Sequence, residues 1–462
     1  MIRLLVPLDQ RPGRSAVATG LQLGPADWYN TATMSDAPRK GPLLVIFLTV
    51  FIDLLGFGMV IPLLPIYAKD FAAQMGLEEG HARVGLVIGL LMSSFSFMQF
   101  LCAPMWGRLS DRIGRRPVLM IGLASSVVFY TLFGVATVMK SLTLLFISRI
   151  GAGIAGATIS TAHAYIADVT SKENRARGMA LIGAAFGLGF TFGPLFGFLA
   201  VPSGEGDPGP GPGYAAAGLS SVALLLAYFK LPESLKPGNP SPRRNWFDRK
   251  ALADAIATPS VGVLLLAMFV CVFSFANLES TLSLILSNKD AGFAFNFREV
   301  CLTYAFIGLT LAVVQGGIVR RIAGRVSEAV LASFGTLVEI AGFIVLTRAT
   351  THPSLGLMLS GLAIVVAGFA FMTPSLNALL SRWTDPAKQG GTLGIGQSIS
   401  SLARILGPMA GVPLVENRPL AERLGVNAAE LPLILAAGMM VVGLALIVIA
   451  ASRGRDFGTA PE

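Results

Sequence analysis

The stretch FMQFLCAPMWGRLSDRIGRRPVLM, residues 97–120, decides how this chain is built. Uncharged sequence runs up to Trp106, five charges fall between Gly107 and Arg116, and apolar sequence resumes at Pro117. Long apolar blocks joined by short charged links are the mark of helices that cross a membrane. Outward from this point the same alternation fills 462 residues, 53% hydrophobic and only 13% charged, about half the charge of a soluble domain. Read block by block, the chain is expected to be an all-α integral membrane protein. Twelve spans are predicted, at 43–66, 83–106, 118–138, 142–167, 176–200, 215–231, 259–286, 299–319, 328–348, 354–380, 390–415 and 430–452.

The net charge of +9 follows the loops. Of 35 Lys and Arg, five lie in the N-terminal tail and 20 in the loops and C-terminus on the same side. Eight lie on the other side, and Arg149 and Arg404 lie within spans. Basic residues stay on the cytoplasmic side, so both termini are expected in the cytoplasm of a bacterial inner membrane. The basicity is thus read as orientation, not as nucleic-acid binding. Cys102, Cys271 and Cys301 fall inside predicted spans and form no metal-ligand spacing with the three histidines; no metal and no cofactor are expected. A phosphate-binding G-x-x-x-x-G-K-[ST] loop is absent, so uphill movement would draw on an ion gradient.

Residues 1–40 read as a disordered tail or an over-extended start, with Met34 opening MSDAPRKGPLLVIF just before the first span. The longest polar interruption, LPESLKPGNPSPRRNWFDRKALADAI at 231–256, divides two sets of six spans. The expected units are therefore bundles at 41–231 and 259–452, a cytoplasmic loop at 232–258 and a cytoplasmic tail at 453–462. The halves repeat: GPLFG at Gly193–Gly197 has a partner, GPMAG, at Gly407–Gly411. The segment WGRLSDRIGRRPVL has a decayed copy in GGIVRRIAGRVSEAVL. Parallel repeats of six spans are a transporter signature, with the binding site between them near the midplane.

Asp53 is the one charge in FIDLLGFGMVIPLLPIY, residues 51–67. A carboxylate at the centre of a membrane helix costs about 2.5–3.5 kcal/mol or more, so its presence points to function. Arg149 in SRIGAGIAGAT is as anomalous. At ~1.5 Å per residue the two lie at depths about 5 Å apart, so a pair is sterically allowed. In the charged loop, Gly107 is expected to let helix ends approach and Gly114 to make a tight turn. Asp111 is expected to meet a helix N-terminus or an arginine, Arg112 or Arg115, as a polar latch that releases in another conformation. In GLGFTFGPLFG, Gly189, Gly193 and Gly197 allow close helix contact, and Pro194 removes a backbone hydrogen bond.

These residues carry a resemblance. Gly107 to Arg116, with Asp111, Arg112, Gly114, Arg115 and Arg116 in place, resembles the G-x-L-A-D-R-x-G-R-K loop of the major facilitator superfamily. Arg149 and Gly153 match its R-x-x-x-G motif, and Gly189, Gly193, Pro194 and Gly197 match the G-x-x-x-G-P-x-x-G pattern of its antiporters. The resemblance covers residues 43–452. It implies two pseudo-twofold-related six-helix bundles rocking about a central site. More narrowly, the first, second, fourth and fifth spans resemble the tetracycline/proton antiporters. That branch assigns the span-1 acid, here Asp53, to proton and drug handling, and the span-2 glutamine, here Gln99, to the drug path. The chain departs from it in span 3, where SSVVFYTLF holds no acid, and in span 8, where FIGLTLAVVQGG holds no histidine. In span 9, Glu339 lies two residues beyond the branch's acid.

Glu279 in the outer half of span 7 and Glu339 near the middle of span 9 are further candidate proton carriers, with Arg404 of span 11 a possible partner for either. Each also has a structural reading, as a vestibule acid or a helix-to-helix hydrogen bond. The function expected is not enzymatic: a monomeric secondary transporter that exchanges protons for a small amphipathic compound. The alternatives are a symporter or facilitator for a hydrophilic metabolite, and a non-transporting receptor of the same fold.

Overall fold

A computed structural model describes residues 40–74, 76, 81–170, 175–202, 208–235, 259–288, 293–384 and 389–454. The N-terminal tail, most of the central loop and residues 455–462 lie outside the described residues. Among the described residues the regular structure is helical apart from one isolated bridge, Ala323 to Val326.

Among the described residues, twelve helices are long and apolar enough to cross a membrane. Spans 1–6 are Gly41–Val60, Ala82–Ile113, Arg115–Val138, Leu142–Val169, Leu181–Ala200 and Gly211–Lys230. Spans 7–12 are Ser260–Ser287, Phe297–Ile322, Glu328–Thr351, Leu355–Arg382, Thr392–Val415 and Ala428–Arg453. Gly41 and Arg453 begin and end on one face, called here the terminal face.

Three local departures from the expected spans have physical causes. Span 1 stops at Val60 instead of running to 66, because Pro62 and Pro65 lack the N–H groups that would carry it on. A turn intervenes, and a short helix, Leu64–Gln74, follows on the opposite face. Span 4 is interrupted at Ala157–Thr158, between Gly156 and Ile159. Span 2 continues through Gly107 to Ile113, so Gly107 lies within a helix and nothing comes within 4 Å of where its Cβ would stand. It does not bring helix ends together as expected. The chain turns instead at Gly114, whose φ of +104° suits glycine.

Packing repeats between the halves. Span 1 packs on spans 5 and 6, and span 7 on spans 11 and 12. Spans 3 and 4 pair as spans 9 and 10 do, and span 3 meets span 6 as span 9 meets span 12. Two exchanged pairs join the halves: span 2 with span 11, and span 5 with span 8. This is the pseudo-twofold arrangement of two six-helix bundles.

Glycines report where the halves touch. A Cβ on Gly89 would stand 2.7 Å from the Pro408 carbonyl, and one on Gly308 2.9 Å from the Phe190 carbonyl; Gly85 lies as close to Val412 and Pro413. All are in the opposite-face halves of their spans. Toward the terminal face, Gly183 and Gly187 of span 5, Gly316 and Gly317 of span 8 and Gly394 of span 11 have nothing within 4 Å. There Phe97, Phe100 and Met105 of span 2 are also exposed. The halves close on the opposite face and part toward the terminal face.

Candidate functional site

Asp53 is half-buried in span 1, which is held to its neighbours by small residues. Gly58 lies against Gly193 of span 5, and Gly56 against Ala216 of span 6. Ser220 of span 6 donates its hydroxyl to Asp53 Oδ1 at 3.0 Å, and Ser126 of span 3 offers a second hydroxyl. Tyr130, one turn further along span 3 and buried, stands within electrostatic reach of both Asp53 and Arg149. These three hydroxyl residues were not singled out in the sequence. The signal was there: the span-3 stretch that lacks an acid carries Ser126 and Tyr130 in its place, and GLSSVALLL is an apolar span with two adjacent serines.

Arg149 is only 3% exposed, and it does not pair with Asp53 here. Its guanidinium lies over the Phe95 ring at 4.6 Å and near Phe57 at 5.8 Å, while Nε and Nη1 have no hydrogen-bond partner among the described residues. Phe57 and Phe95 contact each other, with ring centroids 4.7 Å apart, and Phe190 meets Phe57 edge-on. Aromatic faces give a desolvated guanidinium part of what an anion would supply. Their depths allow a pair, but here the two groups take separate partners, and Tyr130 stands within electrostatic reach of both.

Gln99 donates to the Gly156 carbonyl at 3.1 Å, and Trp106 Nε1 to the Ile154 carbonyl at 2.8 Å. Ser160 reaches back to the Ala103 carbonyl at 3.1 Å. Through Gln99 and Trp106, span 2 satisfies backbone carbonyls at the interruption of span 4, a need imposed by the lipid, which offers no hydrogen bonds. Gln99 thus has a clear structural task. His163 of span 4 is exposed, with Nδ1 3.3 Å from Met179 Sδ.

In the second half, Glu279 is half-buried and interacts electrostatically with Arg404, which does not reach Glu339. Tyr304 donates to the Glu279 backbone carbonyl at 2.7 Å. Glu339 is fully buried in span 9 where Gly335 and Gly368 bring span 10 close, and neither of its oxygens has a partner among the described residues.

The charged loop is a clasp within the first half. Asp111 pairs with Arg115, four residues on. Arg115 also reaches Asp168 at the end of span 4 at 3.1 Å and Ser110 at 2.7 Å. Glu233, just after span 6, accepts from the backbone N–H groups of Arg115 and Arg116 at 2.9 and 3.1 Å. A carboxylate at the start of span 3 satisfies orphan N–H groups and complements the helix dipole. Arg116 donates to the Tyr228 carbonyl at 2.6 Å, while Arg112 is exposed. Four spans are tied together, with Glu233 and Asp168 as the partners that sequence reading missed.

Comparison with known proteins agrees with this architecture. Residues 46–408 match the Major Facilitator Superfamily, and the chain belongs to that family of membrane transporters. Among its relatives, the Major facilitator superfamily domain-containing protein 10 of Bos taurus is 32% identical over 414 residues, 81% of this chain and 87% of that protein. The class C tetracycline resistance protein of Escherichia coli is also 32% identical, over 79% of this chain and 88% of its own length. Among solved structures, the human organic anion transporter MFSD10 (TETRAN) superposes with a TM-score of 0.65 at 27% identity, covering 89% of this chain and all of that one. A D-xylose-proton symporter superposes with a TM-score of 0.70 at 17% identity and shares the fold.

Proposed function

We propose that this protein is a proton-coupled efflux antiporter of a small amphipathic organic compound, and that proton and cargo compete at Asp53. The observation that carries the reading is the set of groups around that carboxyl. Asp53 meets hydroxyls from Ser220 and Ser126, and Arg149 is parked on Phe57 and Phe95. A carboxyl group served only by hydroxyls in an apolar bundle is suited to carry a proton. Once the proton leaves, the anion must be met by a donor of the cargo or by a rearranged Tyr130–Arg149 pair, because an unmet charge in this setting is costly.

The conformation fits the loading step. With the basic loops on the terminal face assigned to the cytoplasm, the bundles are open inward, where a proton is released and cargo taken up. Differential binding of the two ligands to the inward- and outward-open states then drives the cycle. The aromatic cluster of Phe57, Phe95 and Phe190 favours an apolar body on the cargo, and relatives named for tetracycline resistance and organic anion transport support small organic molecules as the class.

Flux into proteoliposomes under an imposed pH gradient tests this. A panel of amphipathic compounds should contain one whose movement dissipates the gradient, and Asp53→Asn should abolish that coupling while the protein remains monodisperse. Coupled transport by Asp53→Asn would overturn the assignment of the proton site. Downhill, pH-independent flux of a hydrophilic solute alone would favour a facilitator.

A further inference from the structure

Two charges at the opposite face stand at helix ends that do not suit them. Glu416 follows directly on the C-terminus of span 11, where the helix dipole is negative, yet it is buried to 3% exposure. Arg298 lies in the first turn of span 8, where the dipole is positive. Each is answered from the other half of the molecule. Lys69, on the short helix after span 1, reaches Glu416 Oε1 at 2.9 Å. Arg298 donates through Nε and Nη2 to the Val201 carbonyl, at 3.3 and 3.1 Å, at the negative C-terminal end of span 5, and lies 5.0 Å from the Phe198 ring.

The two contacts occupy the two edges along which the halves meet, one beside spans 2 and 11 and the other between spans 5 and 8. On the first of these edges, Ser93 of span 2 also donates to the Ile405 carbonyl of span 11 at 2.6 Å. We propose that Lys69–Glu416 and Arg298–Val201 are paired clasps that set the energy of the state closed at the opposite face, so that each passage of cargo to that side must break both. The arrangement makes opening energetically expensive: on separation Glu416 is left at the wrong end of its own helix, and Arg298 likewise. Breaking a buried pair by removing one partner is strongly destabilising for the state that holds it, and the balance of a two-state carrier shifts accordingly.

Cys301 provides a reporter on the far edge. It is fully buried one turn beyond Arg298, and its sulfur would stand 3.3 Å from a Cβ on Gly197 of span 5. Cys271 of span 7 is equally buried but lies against Gly443 of span 12, inside the second half. The test uses the full-length chain with Cys102→Ser in proteoliposomes, exposed on the opposite face to a membrane-impermeant maleimide, with alkylation of each cysteine followed by mass spectrometry. Glu416→Gln should raise the alkylation rate of Cys301 by about tenfold or more while Cys271 stays protected. The substitution is at one edge and the reporter at the other, so only a movement of the halves connects them. Arg298→Met should act in the same direction. Unchanged labelling of Cys301 in Glu416→Gln would overturn the proposal, as would labelling of Cys301 and Cys271 together, which reports general loosening and no gate.

Discussion

Asp53 and Arg149 are the two residues whose charge is hardest to place in a lipid-facing fold, and each is accommodated without the other. Hydroxyl groups serve the acid, and two phenylalanine faces serve the base. Planarity matters to the second arrangement, since a guanidinium stacks on rings where an ammonium does not. Arg149→Lys is therefore expected to fold and insert normally, yet to lose transport by about tenfold or more, measured as initial flux per protein in vesicles. Sequence alone exposed both residues as anomalies but not their surroundings. Ser126, Tyr130 and Ser220 come from two other spans, and hydroxyl residues are common enough in membrane helices to carry little signal singly. That a pair of Asp53 with Arg149 is sterically allowed rests on depth, which ignores azimuth around the helix.

At the scale of elements, small residues decide which helices approach. A Cβ on Gly193 would stand 2.7 Å from Gly58 Cα and 3.0 Å from the Leu55 carbonyl, so the methyl of alanine forces spans 1 and 5 apart. Gly193→Ala is expected to lower stability by about 1–3 kcal/mol, read as a fall in thermal unfolding temperature in detergent. By contrast Gly107→Ala, in open space within the helix of span 2, is expected to leave that temperature unchanged or raise it slightly. The existence of twelve spans was legible because lipid imposes long uncharged runs. Their ends were less so: Gly107 read as a boundary by its charged setting, yet Gly114, with its positive φ, makes the turn. The interruption of span 4 was hidden for a similar reason, since Gln99 and Trp106 satisfy it from a distance in sequence.

For the whole molecule, internal repetition was the strongest guide. The GPLFG and GPMAG segments announced two related halves, and the packing repeats pair for pair. The state of the molecule was not legible, because it depends on which faces of spans 2, 5, 8 and 11 touch. Glycines pressed against the partner half on one face and standing open on the other reveal it. On the proposed reading, cargo and proton exclude each other at Asp53 in the first span. The most direct measurement is proton release on cargo binding: purified protein in weakly buffered detergent, titrated with a compound taken from the flux screen. Wild-type protein is expected to acidify the solution as cargo binds, and Asp53→Asn to bind without releasing protons. No proton release from the wild type on binding, or uptake of protons, would contradict the account.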